Sequence, residues 1–338
     1  MEEAKRDEEE SKQQQIWSWG AGTEGQLGTG KLEDEYLPQL LHLPFLSSAE
    51  SISTLACGGA HVIALTSGGR VFTWGRGTTG QLGHGEMLNS LHPKPVSSLQ
   101  SYVITQVSAG WSHSGFVSDI GLLFTCGDGS FGQLGQGDYR SQSTPVKVDY
   151  FTNNFVNQIA CGMRHSLVLL NGGRVFTWGR GTTGQLGHGE MLNSLHPKPV
   201  SSLQSYVITQ VSAGWSHSGF VSDTGLLFTC GDGSFGQLGQ GDYRSQSTPV
   251  KVDYFANNFV NQIACGMRHS LVLLNGNQVY GFGSGKRGQL GISKDKIKSI
   301  NLPQVTCGLE DVQIVSISAN GDHSAAIDKQ PITKQLLI

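Results

Sequence analysis

The apolar residues of this chain fall in short runs of β-branched and aromatic character, such as Lys94–Val96, Val103–Gly110, His113–Ser118 and Leu122–Gly127, separated by Gly or Ser-Asp. Runs of this length bounded by turn residues predict strands. No stretch sustains a helical period; in the nearest, Leu32–Leu43, Pro38 would remove a helical N–H and clash with the preceding turn. Four strands followed by a glycine-rich loop make one unit, and the unit recurs.

Two independent markers give the period. The glutamine of Gly-Gln-Leu-Gly stands at Gln26, Gln81, Gln133, Gln185, Gln237 and Gln289, with spacings of 55 and then 52 residues. A histidine follows at His61, His113, His165, His217, His269 and His323, again 52 apart until a last step of 54. Four strands at such a period predict an all-β chain, a β-propeller of about six four-stranded blades.

The units start near residues 16, 71, 123, 175, 227 and 279 and occupy 16–328. If each blade runs from the Pro-Val strand to the Trp-Gly strand, the last set lacks its final strand. Ile16–Trp19 matches that element, so the N-terminal strand is expected to complete the last blade and close the ring, removing an exposed edge. Residues 1–15 read as a disordered acidic tail and 329–338 as a tail or edge strand. Residues 68–171 and 172–275 differ only at Ile120 against Thr224 and Thr152 against Ala256, so two whole units are duplicated almost verbatim.

Composition narrows the function. The net charge of −3 comes from the first fifteen residues, with six acids against three bases, and the remainder is neutral. A neutral body disfavours nucleic acid, whose binding needs a basic face. The leader has no apolar core and no run is long enough to span a bilayer, so a soluble protein of cytoplasm or nucleus, without a membrane partner, is expected. The six cysteines form no Cys-x-x-Cys pair; Cys57, Cys161, Cys265, Cys126 and Cys230 read as small apolar core residues in a reducing compartment.

Gly75, Gly77 and Gly80 spell Gly-x-Gly-x-x-Gly, the spacing of a dinucleotide loop, and Gln81, Leu82 and Gly83 follow. That spacing binds a dinucleotide only between a strand and a helix. Here it recurs once per unit with no helix after it, so the glycines read as turn residues at which the chain crosses to the next blade, and no cofactor is expected. The six motif histidines are spread by the repeat, whereas metal ligands must converge on one ion. They read as framework groups that hydrogen-bond loop backbone, and no metal is expected. His84 and His188 read as loop residues. No Gly-x-Ser-x-Gly elbow occurs, Asp128 and Asp232 are equivalent positions that cap turns, and Lys286, Arg287, Lys294, Lys296 and Lys298 form one basic loop. Nothing in this inventory points to an enzyme.

The unit Trp-Gly-x-Gly-x-x-Gly-Gln-Leu-Gly-x-Gly, followed by Pro, Val and Gly-x-x-His-Ser, resembles the regulator of chromosome condensation repeat family over residues 16 to about 328. The resemblance implies a propeller, usually of seven blades. It also implies two activities: nucleotide exchange on a small GTPase, and ultraviolet-B sensing in a plant branch that clusters tryptophans with arginines. The acidic tail and the even spacing, which leaves no room for a wedge hairpin, weigh against exchange. Trp111 and Trp215 alternate with the Arg164 and Arg268 motifs, which weighs against a continuous tryptophan cluster. The leading expectation is a non-enzymatic scaffold for protein–protein interaction. Its partner is another protein, such as a small GTPase, a signalling component or a second copy of this chain. Candidate contacts are Arg76, Arg180, Trp111, Trp215, Arg164 and Arg268, because Trp and Arg are enriched in interface hot spots.

Overall fold

The computed structural model describes residues 14–43, 46, 50–292 and 298–329. Contacts divide the chain into two compact units. The first runs to Ile120 and adds Phe124–Asp128 and Ser141–Lys147; the second comprises Gly121–Leu123, Gly129–Arg140 and the chain from Val148 onward.

In chain order the strands up to residue 147 are β1 (Trp17–Gly20), β2 (Glu35–Leu40), β3 (Ile52–Cys57), β4 (His61–Thr66), β5 (Val71–Gly75), β6 (Ser90–Pro95), β7 (Ile104–Ala109), β8 (His113–Ser118), β9 (Leu123–Gly127) and β10 (Gln142–Lys147). They pair as β1-β2, β3-β4-β5-β6 and β7-β8-β9-β10. The remaining strands are β11 (Val156–Cys161), β12 (His165–Leu170), β13 (Val175–Gly179), β14 (Ser194–Pro199), β15 (Ile208–Ala213), β16 (His217–Ser222), β17 (Leu227–Gly231), β18 (Gln246–Lys251), β19 (Val260–Cys265), β20 (His269–Leu274), β21 (Val279–Ser284), β22 (Ser299–Val305), β23 (Ile314–Asn320) and β24 (His323–Asp328). They pair as β11 to β14, β15 to β18, β19 to β22, and β23-β24. All pairings are antiparallel.

Among the described residues, five four-stranded sheets and two strand pairs therefore stand where about six four-stranded blades are expected. The blade boundary also moves by one strand. The Pro-Val strand pairs with the Trp-Gly strand before it, Phe72 facing Pro95 and Gly75 facing Ser90. The glycine-rich loop thus turns within a sheet, and the crossing to the next sheet comes later, through 3-10 turns such as Ser97–Leu99. Proline explains the order: it cannot donate to a ladder and is tolerated on an outer edge. Pro93, Pro95, Pro145, Pro197, Pro199, Pro249 and Pro303 all lie on fourth strands.

The expected closure by the N-terminal strand is not present among the described strands. β1 pairs with β2, across a 14-residue loop, and β24 pairs only with β23, every residue of β24 being exposed. His323, at the start of β24, is accordingly exposed, unlike the other motif histidines. Gln14, assigned to the tail by its sequence, holds Ile52 of β3 with both ends of its amide.

Middle strands are buried on both faces, as β8 and β12 are throughout, so their sequences run apolar instead of alternating. Between sheets, Leu167, Val211, Phe220 and Phe228 form one core cluster, and Phe255, Val260, Val272 and Phe282 another. Full burial of each such side chain contributes roughly 1.5–3 kcal/mol. Cys126, Cys230, Cys161 and Cys265 are buried, but Cys57 is exposed, because within its unit β3 has a neighbouring inner strand, β7, on one side only.

Polar groups join sheet to sheet. Gln158 of β11 gives Nε2 to Val211 O at 3.1 Å and takes Val211 N–H at 3.0 Å on Oε1; Gln262 does the same to Ile317, with both bonds at 2.9 Å. Each amide stands in for a strand partner across adjacent inner strands. The second link starts from histidine. His61 Nε2 lies 2.9 Å from Ser114 Oγ, and Ser114 Oγ donates to Gln81 O at 2.7 Å. His165–Ser218–Gln185, His217–Ser270–Gln237 and His269–Ser324–Gln289 repeat the chain. Histidine thus reaches loop backbone through a serine.

This chain fixes the tautomer. The serine proton is committed to the carbonyl, so Nε2–H must donate to serine, leaving Nδ1 as a buried lone pair. Protonating Nδ1 would bury a charge. Burial first, then neighbouring His113 and Arg76, holds His61 down to about 3; burial, then His269, does the same to His217, about 3. Burial also holds His113 and His269 down to about 4.

In the unfolded chain these imidazoles titrate near the ordinary value of about 6.5. Because the folded values lie lower, stability is complete above about pH 6.5 and is lost as pH falls toward the folded values. We expect each of these four histidines to cost about 2 kcal/mol of stability between pH 7 and pH 5. Urea midpoints across that range check this; a flat profile would contradict the buried neutral tautomer.

Candidate functional site

Each glycine-rich loop uses its own donors. Gly77 N–H bonds Asn89 Oδ1, Thr79 N–H bonds Gln81 Oε1, Gly80 N–H bonds Gly77 O, Gly83 N–H bonds Gly80 O, and Arg76 N–H bonds Ala60 O. A phosphate loop must leave such N–H groups open to its ligand. A Cβ on Gly77 would fall 1.9 Å from Leu88 O, so this glycine serves close backbone approach. Gln81 is buried; its main-chain carbonyl takes Ser114, and the thiol of Cys126 lies 3.7 Å away. Elsewhere that second place is filled by indole, Trp74 Nε1 to Gln26 O at 2.9 Å and Trp178 Nε1 to Gln133 O at 2.8 Å. Leu82 is fully buried.

His84 and His188 lie in these loops, each with Nε2 at 2.8 Å from a threonine hydroxyl, Thr73 or Thr177. Burial and the adjacent lysine hold both down to about 4. No set of three or more metal-ligating side chains occurs among the described residues. Asp232 caps its turn, accepting Ser234 N–H at 3.0 Å. In the basic loop, Lys294 and Lys296 lie outside the described residues.

In the second unit, two aromatic rings are each approached by two cations. Gly179 ends β13 with φ +99°, and a Cβ there would fall 2.6 Å from Arg164 O, 2.8 Å from His165 Cα and 3.1 Å from Gln133 Cα. Three segments converge at that point. Arg180 N–H bonds Arg164 O at 2.7 Å, which sets the two arginines side by side. Phe131, two residues before Gln133, has its N–H held by Gln133 Oε1 at 2.9 Å. Its half-buried ring receives the Arg164 guanidinium at 4.4 Å and that of Arg180 at 5.6 Å from the centroid.

The arrangement repeats one duplication later. Phe235 N–H bonds Gln237 Oε1 at 2.8 Å, Ser284 N–H bonds Arg268 O at 2.7 Å, and Arg268 lies 4.6 Å over Phe235 and 5.8 Å over Trp215. Lys286 approaches the same ring at 6.0 Å. Each stacked cation contributes about 0.5–1 kcal/mol at a solvent-facing site.

Four of the six expected contact residues therefore converge on aromatic rings: Arg164, Arg180, Arg268 and Trp215. Arg76 and Trp111 lie in the first unit. There Arg76 Nε bonds Thr78 Oγ1 at 3.1 Å, and the Trp111 ring, 38% exposed, covers Gly59. Trp215 and Arg268 come from motifs of successive units, yet they touch, because the glycine before each histidine brings neighbouring inner-strand ends together, as in Trp215 N–H to Gly266 O at 3.2 Å. Phe131 and Phe235 were missed among the sequence candidates. Their signal is an aromatic in Gly-Asp-Gly-Ser-Phe-Gly where the alternate units carry threonine, Thr79 and Thr183.

Repeated four-stranded antiparallel sheets, each with its histidine and its glycine-rich loop, define a β-propeller. The chain belongs to the RCC1-like domain family, whose sequence profile matches residues 15–333. It is 34% identical to the ultraviolet-B receptor UVR8 of Arabidopsis thaliana over 314 residues, covering 93% of this chain and 70% of the receptor. It is 35% identical to the E3 ubiquitin-protein ligase HERC2 of Homo sapiens over 258 residues, which is 76% of this chain but 5% of the ligase. Among solved structures, human WBSCR16 superposes with TM-score 0.82 at 25% identity, covering 94% of this chain and 81% of that one. Yeast RCC1 (Prp20), solved with Kap60, superposes with TM-score 0.79 at 26% identity, covering 94% and 78%.

Gly179→Ala is expected to separate the three converging segments and cost about 2–4 kcal/mol, as strained close-contact sites do. Thermal unfolding of the variant checks this; a melting temperature within a degree or so of the parent would show that the approach at Arg164 O is not tight.

Proposed function

We propose that this chain is a non-enzymatic scaffold that binds another protein through the loops bearing Phe131, Arg164, Arg180, Trp215, Phe235 and Arg268. One observation carries the reading. Arg70, Arg140, Lys31, Lys94, Lys198 and Lys251 each sit against a carboxylate, and Arg76 and Arg174 hydrogen-bond Thr78 and Asn154, whereas Arg164, Arg180 and Arg268 lie on partly exposed rings without a carboxylate among the described residues. Rigid aromatic and guanidinium groups held ready in this way are what interface hot spots are made of. Such a role fits a protein of cytoplasm or nucleus.

The likeness to yeast RCC1 supports a second reading, nucleotide exchange on a small GTPase, and the likeness to UVR8 a third, light sensing, for which Trp215 beside Arg268 is the relevant contact. Against exchange stands the even repeat spacing, which leaves no long hairpin in the duplicated units.

Affinity capture with quantitative mass spectrometry, comparing the parent with an Arg164→Gln, Trp215→Ala, Arg268→Gln variant of unchanged circular dichroism, tests the scaffold. Specific partners should drop about tenfold or more; equal enrichment would remove these residues from the interface. A small GTPase loaded with labelled GDP should show no accelerated release, and size-exclusion elution should not change under ultraviolet-B. Catalytic release or light-driven monomerisation would replace the scaffold reading with the corresponding alternative.

A further inference from the structure

The two ring-and-cation clusters share one construction and lie 104 residues apart in the chain, Phe131 with Arg164 and Arg180, Phe235 with Arg268 and Lys286. In the first, two guanidinium carbons lie over one ring, at 4.4 and 5.6 Å from its centroid. Two like charges brought to one ring repel, and an anion between them would relieve that repulsion. A ring accepts none of the five N–H donors of a guanidinium in an ordinary hydrogen bond, so these cations keep donors for an acceptor. The Arg180 edge is used once, Nε donating to Thr182 Oγ1 at 2.9 Å. An anion with two planar acceptors would meet both needs, since a carboxylate takes a guanidinium edge in a bidentate pair.

The second cluster differs in a way that can be read from the sequence. The duplication ends at Asn275, so Arg268 is retained but the position of Arg180 is Ser284, and Lys286 approaches from the position of Thr182. One fork and one point charge replace two forks, and a lysine ammonium cannot pair bidentately. In the first unit the same positions hold Glu24 and Ala60 in place of the ring and the inner arginine, so the device is missing there.

Resting on the scaffold reading, we infer that each cluster is a carboxylate-binding site and that the partner presents acidic side chains to both, the Phe131 site being the tighter. The choice of an acidic protein segment over nucleic acid follows from charge. A chain of net charge −3 with two discrete forked sites lacks the continuous basic stripe that a phosphate backbone requires.

The probe is a fluorescein-labelled octaglutamate peptide titrated into the full chain by calorimetry and anisotropy at low salt, with octaglutamine and an eight-nucleotide single-stranded DNA as comparisons. Two peptides should bind per chain with unequal affinity, and octaglutamine should not bind. Arg164→Gln should weaken the tighter site about tenfold or more, and Arg268→Gln the weaker one. Arg164→Lys, which keeps the charge, should fall between parent and Arg164→Gln. The inference fails if one peptide or none binds, if the Arg164→Gln, Arg268→Gln double variant binds as the parent does, if Arg164→Lys equals the parent, or if the oligonucleotide binds more tightly than the peptide. Failure here with partner capture still dependent on Arg164 and Arg268 would overturn only the carboxylate assignment; loss of both dependences would overturn the scaffold as well.

Discussion

The main-chain carbonyl of the Gly-Gln-Leu-Gly glutamine is the acceptor on which the packing of successive sheets depends. It has two lone pairs and uses them on different elements: a serine hydroxyl on one side and, where tryptophan is present, an indole N–H on the other. The serine is in turn held by a histidine of the preceding sheet. Removing any member would leave a buried polar atom without its partner, which costs more than the bond contributes when made. This explains why glutamine, serine and histidine recur at a near-constant spacing while the residues between them vary in size and charge.

Because the framework settles the loops so firmly, side chains at their tips vary without disturbing the sheets. Alternate units exploit this differently: Gly-Arg-Gly-Thr-Thr-Gly supplies a cation and Gly-Asp-Gly-Ser-Phe-Gly a ring. Contact between them is made by backbone proximity at the end of the third strand, so the aromatic on the loop of one sheet meets the arginines of the next sheet. The ring-and-cation contacts of the second unit are thus a property of neighbouring repeats together.

The repeat itself was legible because glycine, glutamine and histidine act locally, and a fixed interval between them has a geometric meaning. The β-propeller class followed from it. Blade boundaries did not, since the sequence lists strands in order without saying which turn stays in a sheet; Pro95 on the outer edge was the available clue. Cys57 shares its Ala-Cys-Gly setting with the buried Cys161 and Cys265, yet its exposure depends on which strands flank β3, a matter of position in the assembly. Pairing of Trp215 with Arg268 was hidden for the same reason: motif identity is one-dimensional, and adjacency between motifs is not.

The strand registers of the duplicated segments coincide, Ile104 facing Ser118 as Ile208 faces Ser222. A nascent strand from either copy therefore meets two docking addresses of equal quality, and side-chain complementarity cannot tell them apart. Correct threading must then come from synthesis order and from the unmatched sequences at the two ends, and a chain that skips one copy would lose a pair of sheets without any local sign of error.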